Sequence, residues 1–437
     1  MYGRLSLQQS PPLSVPARFF LTAPLFGILA ALILLFTGKD LLLSRWTPGM
    51  LAITHCLTLG FFASVMFGAT QQLLPVLVGS VIAKPRLIAT LIHVQWLPGI
   101  VLLVTSFFSF KTVYLVPGLI LIAGAVITFV GTILYTLHKG ISANESAAGV
   151  RLAVISLFIT LALGATLGLG YTGLIPLWRP LLTDLHLAWG LIGWIGLLIM
   201  VIAWQVVPMF QITRSYPVLL RRATIPAVAI LLVLKSLLLW MGNSNNATVL
   251  LDHAADICLV LILFSFAVAT LYLQRVSRRK IRDSHRDYWR LAMLNLLLCL
   301  CFWIGASITG RPELYLLSAA VFLLGFAMAV VTGMLLKIIS FLIWLHLQSL
   351  NEALQAGGKA GFIVPKMKRV IADRKTNLLL ISLCAAQLCI IAAILFPRQM
   401  TLLAALAWLE FFIVLWLILS GAVFRYYKII GEHQVRQ

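Results

Sequence analysis

This chain of 437 residues is short of charge: Asp, Glu, Lys and Arg make up 10% of it, apolar residues 62%, and the mean hydropathy is +1.04. A soluble domain carries about a quarter charged residues, enough to clothe its core. That shortage excludes a soluble globular protein and leaves an integral membrane protein. Acid is scarcer than base, with 12 Asp plus Glu against 33 Lys plus Arg. Cysteine is scarce as well. Cys56, Cys258, Cys299, Cys301, Cys384 and Cys389 all fall in apolar runs, without the paired spacing of a disulfide or zinc site, and read as small apolar side chains. No soluble domain, nucleotide-binding loop, Gly-x-Ser-x-Gly or zinc motif is present, so nothing in the chain names an enzyme.

What is present is a series of twelve apolar runs, each of about 17 to 25 residues and so long enough to cross a bilayer. They start near Phe19, Leu51, Leu87, Val113, Leu152, Leu185, Ile225, Val249, Leu291, Leu314, Leu378 and Leu402. The expected fold is an all-α polytopic membrane helix bundle, a single transmembrane domain over 1–437 with both termini cytoplasmic. Its inner parts are an N-terminal segment at 1–17, basic loops at 275–290 and 350–375, and a tail at 429–437. The first run, Phe19 to Phe36, leads into Thr37-Gly38-Lys39-Asp40 with no small-residue cleavage site, and reads as a retained helix rather than a signal peptide.

With both ends inside, 26 of the 33 basic residues lie on the cytoplasmic side. Lys39, Arg45, Lys111, Arg179, Arg311 and Arg398 lie outside, and Lys235 falls within a span. Positive charge accumulates on cytoplasmic loops, so the formal +21 reads as a topology signal. The expected location is a bacterial inner membrane. The basic face can also attract anionic lipid headgroups, at about 1 kcal/mol per residue near the surface, or a respiratory-chain partner. Asp283 and Asp287 interrupt its longest basic run, and no nucleic-acid-binding fold is present, so DNA and RNA are discounted.

The second, sixth and tenth spans align without gaps as Gly60-FFASVMFGATQ-Gln72-LL-Pro75, Gly193-WIGLLIMVIAW-Gln205-VV-Pro208 and Gly325-FAMAVVTGMLL-Lys337-II-Ser340. Each has Gly, an aromatic (Phe61, Trp194, Phe326), a polar residue twelve after the Gly, two aliphatics, then a helix-ending residue or its substitute. The period is four spans, which predicts a pseudo-threefold bundle of three groups of four helices. The small Gly admits a neighbouring helix. Gln72, Gln205 and Lys337 read as interfacial anchors at the cytoplasmic end, and Pro75 and Pro208 as the points where the helices end or kink.

His55 lies five residues before Gly60 and His186 seven before Gly193, whereas the third repeat has Ala320 and Ser318 at those offsets. His55 sits about 6 Å into the outer apolar layer. An imidazole in hydrocarbon has a partner, whether metal, carboxylate or backbone carbonyl. Two readings stay open for His55: a ligand, or a histidine hydrogen-bonded across a helix interface. His186, between Asp184 and Trp189, fits a ligand or the interfacial belt. If the repeats surround a common centre, the two imidazoles approach one another and can ligate a haem iron or a copper ion.

Of the other histidines, His93 and His138 lie toward inner span ends, His253 beside Asp252 and Asp256, His285 in a basic loop, and His433 in the tail; all read as solvated or interfacial. His346, in an apolar extension, is left open. Lys235 and Glu410 fall near mid-membrane, where charge needs a partner or a cavity. They would pair with each other or mark an ion route.

Twelve spans, three related groups of four, and histidines near the outer ends of the second and sixth resemble subunit I of the haem-copper oxidases. The stretch THCLTLGFFASVMFGATQQLLPVL, Thr54 to Leu77, looks closer to the oxidase-like membrane proteins that include the NnrS type, linked with nitric-oxide stress. The resemblance implies that His55 matches the haem-binding histidine of the second helix and that His186 roughly matches the copper ligand of the sixth. It also implies what is lacking. The seventh span, ATIPAVAILLVLKSLLLW, has no histidine pair for copper, and the tenth has no His-x-His for two haems. Met328 or Met334 is left as a second axial ligand to a haem on His55.

Three functions follow as expectations. The first is a haem- or copper-binding protein with a redox or nitric-oxide-stress role that does not reduce oxygen. The second is a cofactor-free transporter or channel using Lys235, Glu410, Gln72 and Gln205. The third is an assembly or signalling partner of respiratory proteins.

Overall fold

The computed structural model describes residues 11–140, 144–176, 179–241, 246–278 and 283–434. Among these no strand occurs, and twelve helices are long and apolar enough to cross a membrane. The fold is an all-α polytopic membrane bundle. In chain order the spans are Ser14–Leu43, Pro48–Val78, Pro85–Ser109, Thr112–His138, Glu145–Tyr171, Leu182–Gln211, Val218–Met241, Asn246–Arg275, Ser284–Thr309, Pro312–Ala356, Asp373–Leu395 and Pro397–Glu432. An even number of crossings returns both ends to one face.

Local chemistry sets many of the helix ends. Pro48, Pro85 and Pro312 occupy the first turn, where a missing N–H costs nothing. The Thr47 hydroxyl accepts from Met50 N–H at 3.2 Å and the Asn144 carbonyl oxygen from Ala147 N–H at 2.8 Å. Gly79 and Gly310, both at φ +68°, close the second and ninth spans in the left-handed conformation.

Several spans begin or end beyond the apolar runs, because a helix needs only its middle 20 or so residues in hydrocarbon. Helix therefore covers 14–17, 284–290 and 350–356, which were expected to lie outside the spans, and the tail is helical as far as Gln434. Residues 1–10 of the N-terminal segment, 279–282 of the first basic loop and 435–437 of the tail lie outside the described residues.

The repeat is visible in how the glycines pack. A Cβ on Gly60 would overlap Phe26 of the first span, one on Gly193 would meet Ser156 Oγ of the fifth at 2.8 Å, and one on Gly325 would meet Asn295 Cγ of the ninth at 2.8 Å. In each group of four, the second helix thus receives the first across the same glycine. Eight residues on stand Gly68, Val201 and Gly333. Gly68 faces Phe19 and Gly333 faces Tyr288, but Val201 would be crowded, and its partner helix supplies Gly149 in compensation. The backbone repeats too. Cys56–Ala63, Ala188–Gly196 and Val321–Ala327 are π-helical, each containing its repeat glycine. Such segments are rare and cluster at functional sites.

The ring closes where the first span packs on the twelfth, with Gly27 set against the Phe412 ring. At the inner end, Pro75 and Pro208 are each followed by three more helical residues before the helix stops. Ser340 occupies the same place in the tenth span but retains its N–H, and that helix runs on to Ala356. Ser340 is therefore not a helix-ending residue, contrary to expectation.

Candidate functional site

The three π-helical segments wall a cavity of about 1300 Å³, lined mainly by aliphatic and aromatic side chains. His55 and His186 both line it. Their ring centres are 6.4 Å apart with planes inclined by 28°. The sequence repeat thus brings together two residues separated by most of a repeat length.

Each imidazole is oriented by a backbone carbonyl. His55 Nδ1 lies 2.7 Å from the Leu51 carbonyl oxygen, and His186 Nδ1 lies 3.0 Å from that of Thr160 on the fifth span. A carbonyl only accepts, so Nδ1 carries the proton in both rings, and in the neutral imidazole Nε2 then holds a free lone pair. Neither Nε2 has a hydrogen-bond partner among the described residues. Phe107 flanks His55, with ring centres 5.3 Å apart. Gly164, one turn after Thr160, leaves room for the other ring, since a Cβ there would stand 2.8 Å from His186 Cε1.

Lys235 does not pair with Glu410. Its ammonium lies 2.7 Å from a carboxylate oxygen of both Asp252 and Asp256, one turn apart on the eighth span, and all three side chains line the cavity. Glu410 is exposed on the flank of the twelfth span and accepts a hydrogen bond from the Ser382 hydroxyl. An ion route through both residues therefore has no geometric basis.

The inner polar set is also less exposed than expected. Gln72 is buried, and Lys337 is drawn away from the headgroups by Asp283 at 3.6 Å and by the Phe210 ring at 5.6 Å. Gln205 is half-buried. His285 is buried rather than solvated, its Nδ1 3.2 Å from the Gly333 carbonyl oxygen. His346 lies within the tenth helix, its Nδ1 bonded to the Leu342 carbonyl at 2.8 Å. His93 Nε2 lies 3.3 Å from the Thr22 hydroxyl, and the side chain of His433 lies outside the described ones.

The residues present fit a metal-bearing group. Two imidazoles whose Nε2 is unpartnered among the described residues line one mainly apolar cavity, a donor pair suited to iron or copper. Met328 and Met334 are buried in the core and do not line the cavity, so neither is placed to assist. Among the described residues no three His, Cys, Asp or Glu side chains gather into a metal-binding cluster. Reading the sequence alone missed Thr160 and Gly164, which carry no chemical signature. It also missed Asp252 and Asp256 as partners of Lys235, although their spacing of four residues in an apolar helix was a usable signal. In comparison with known proteins, the chain matches no family model and no curated protein sequence.

Proposed function

We propose that this membrane protein is a member of the haem-copper oxidase-like superfamily, of the NnrS type, and holds haem or copper through His55 and His186. The supporting observation is that both imidazoles line one cavity, each with Nδ1 donating to a backbone carbonyl and Nε2 unpartnered among the described residues. The chain's own residues bind and orient the group. Leu51 and Thr160 fix the ring tautomers, and the mainly apolar wall lowers the local dielectric. When bound, the group supplies one-electron chemistry, suited to a redox or nitric-oxide-stress role in a bacterial inner membrane. Oxygen reduction is not proposed, since the seventh and tenth spans lack the histidines of a binuclear centre.

The test is an absorption spectrum and metal analysis of the purified full-length chain and of His55→Ala. The expected result is a Soret band or stoichiometric copper in the wild type, lost in the variant. A wild-type preparation with neither, after growth with haem precursor and copper, overturns the proposal.

A further inference from the structure

The resemblance assigns the second-helix histidine to a haem and the sixth-helix histidine to copper, as ligands of two different metals. The structure sets the two rings beside one another, their planes inclined by 28°. A metal about 2 Å from one nitrogen of each imidazole holds the two ring centres about 6 Å apart, and the observed separation is 6.4 Å. His253 also lines the cavity, beside Asp252 and Asp256 of the eighth span, but no third His, Cys, Asp or Glu joins the two imidazoles in a metal-binding cluster among the described residues; separate metals would each take one histidine of this pair. One shared metal has two. The tenth span adds no imidazole to the cavity; at the offset of His186 it has Ser318, whose hydroxyl donates to the Cys299 carbonyl at 3.2 Å.

The cavity also discriminates between a bare ion and a macrocycle. A two-coordinate copper ion needs almost no free volume beyond its ligands. The space is about 1300 Å³, at or above the roughly 300–1,000 Å³ of pockets that take drug-sized ligands. Its walls are mainly apolar, with aromatic side chains such as Phe107, Tyr171 and Trp303 among them.

Resting on the proposed cofactor-binding function, we infer that His55 and His186 are the two axial ligands of a single haem iron, one haem per chain. Both axial positions are then protein-held. The centre is suited to accept and donate an electron, with no position left open for a diatomic gas.

The experiment uses the full-length chain in detergent, loaded with hemin. The expected findings are one haem per chain, a low-spin spectrum by absorption and electron paramagnetic resonance, and no adduct with carbon monoxide after reduction. These need no variant and stand even if a substitution fails to fold. His55→Ala and His186→Ala are each expected to convert the haem to a high-spin form that binds carbon monoxide, with added imidazole restoring the low-spin spectrum. A wild-type haem that binds carbon monoxide, or a low-spin spectrum untouched by His186→Ala, overturns the shared-iron assignment alone. So does copper bound without haem, which leaves the proposed function standing. Binding of neither haem nor copper overturns both.

Discussion

The Thr160 carbonyl on the fifth span holds His186 of the sixth by accepting its Nδ1–H at 3.0 Å. That one bond fixes the tautomer, leaving the lone pair on Nε2. It also explains why a residue without chemistry of its own belongs to the site. Gly164, on the same helix, supplies the space that the bond needs.

Gly164→Val is therefore expected to displace His186 and to weaken haem or copper binding by about 10- to 100-fold, the range seen when groups that orient a metal ligand are changed. Titration of the purified variant with hemin or Cu(I) measures this. Wild-type affinity in that variant would show that the Gly164 cradle does not position the ligand.

Gly149 and Val201 form an exchange of bulk relative to Gly68 and Gly333 in the other two repeats. Gly149→Ala drives a methyl group into Val201 and is expected to destabilise the protein by about 1–3 kcal/mol through overpacking. Val201→Gly in the same chain relieves the clash and is expected to recover much of the loss. Thermal unfolding of the two single variants and the double variant in detergent gives the coupling. Simple additivity would show that the two sites do not meet.

The Lys235 side chain is 14% exposed and its ammonium faces two carboxylates. Lys235→Met leaves both without their cation and is expected to lower stability by about 3 kcal/mol. Adding Asp252→Asn and Asp256→Asn removes the stranded charge and is expected to restore most of that loss. If the triple variant is no more stable than Lys235→Met, the carboxylates are not held by the lysine.

Glu410 gives the contrasting expectation. Its side chain lies on the flank of a membrane span, partnered by Ser382, where an ionised carboxylate is costly, so Glu410→Gln is expected to maintain or raise stability and to leave any solute or ion flux in proteoliposomes unchanged. A loss of flux in this variant would revive a transport route on the flank of the bundle.

The site was legible in part. His55 stood out because an imidazole in an apolar run is rare, and the aligned repeats implied that His186 would approach it if they surround a common centre. Lys235 stood out for the same reason, but its partner was misjudged. Asp252 and Asp256 were noted only as neighbours of His253, whereas a lysine side chain on the neighbouring helix reaches both. Lys337 and Gln72 were read from depth alone, which ignores that Asp283 and the facing helices cover them.

Span length and span count were determined by the sequence itself, because hydropathy is a local property that a bilayer reads directly. The triplication was also there to be read, since glycine, glutamine and proline stand out against a 62% apolar background. Only the tertiary structure decided which polar groups meet. It placed the π-helical segments, set the Thr160 carbonyl behind His186, and opened one cavity to both imidazoles. These relations depend on helix rotation and on close approach at small residues. An apolar sequence, in which nearly every face of a helix is compatible with lipid, leaves both undetermined.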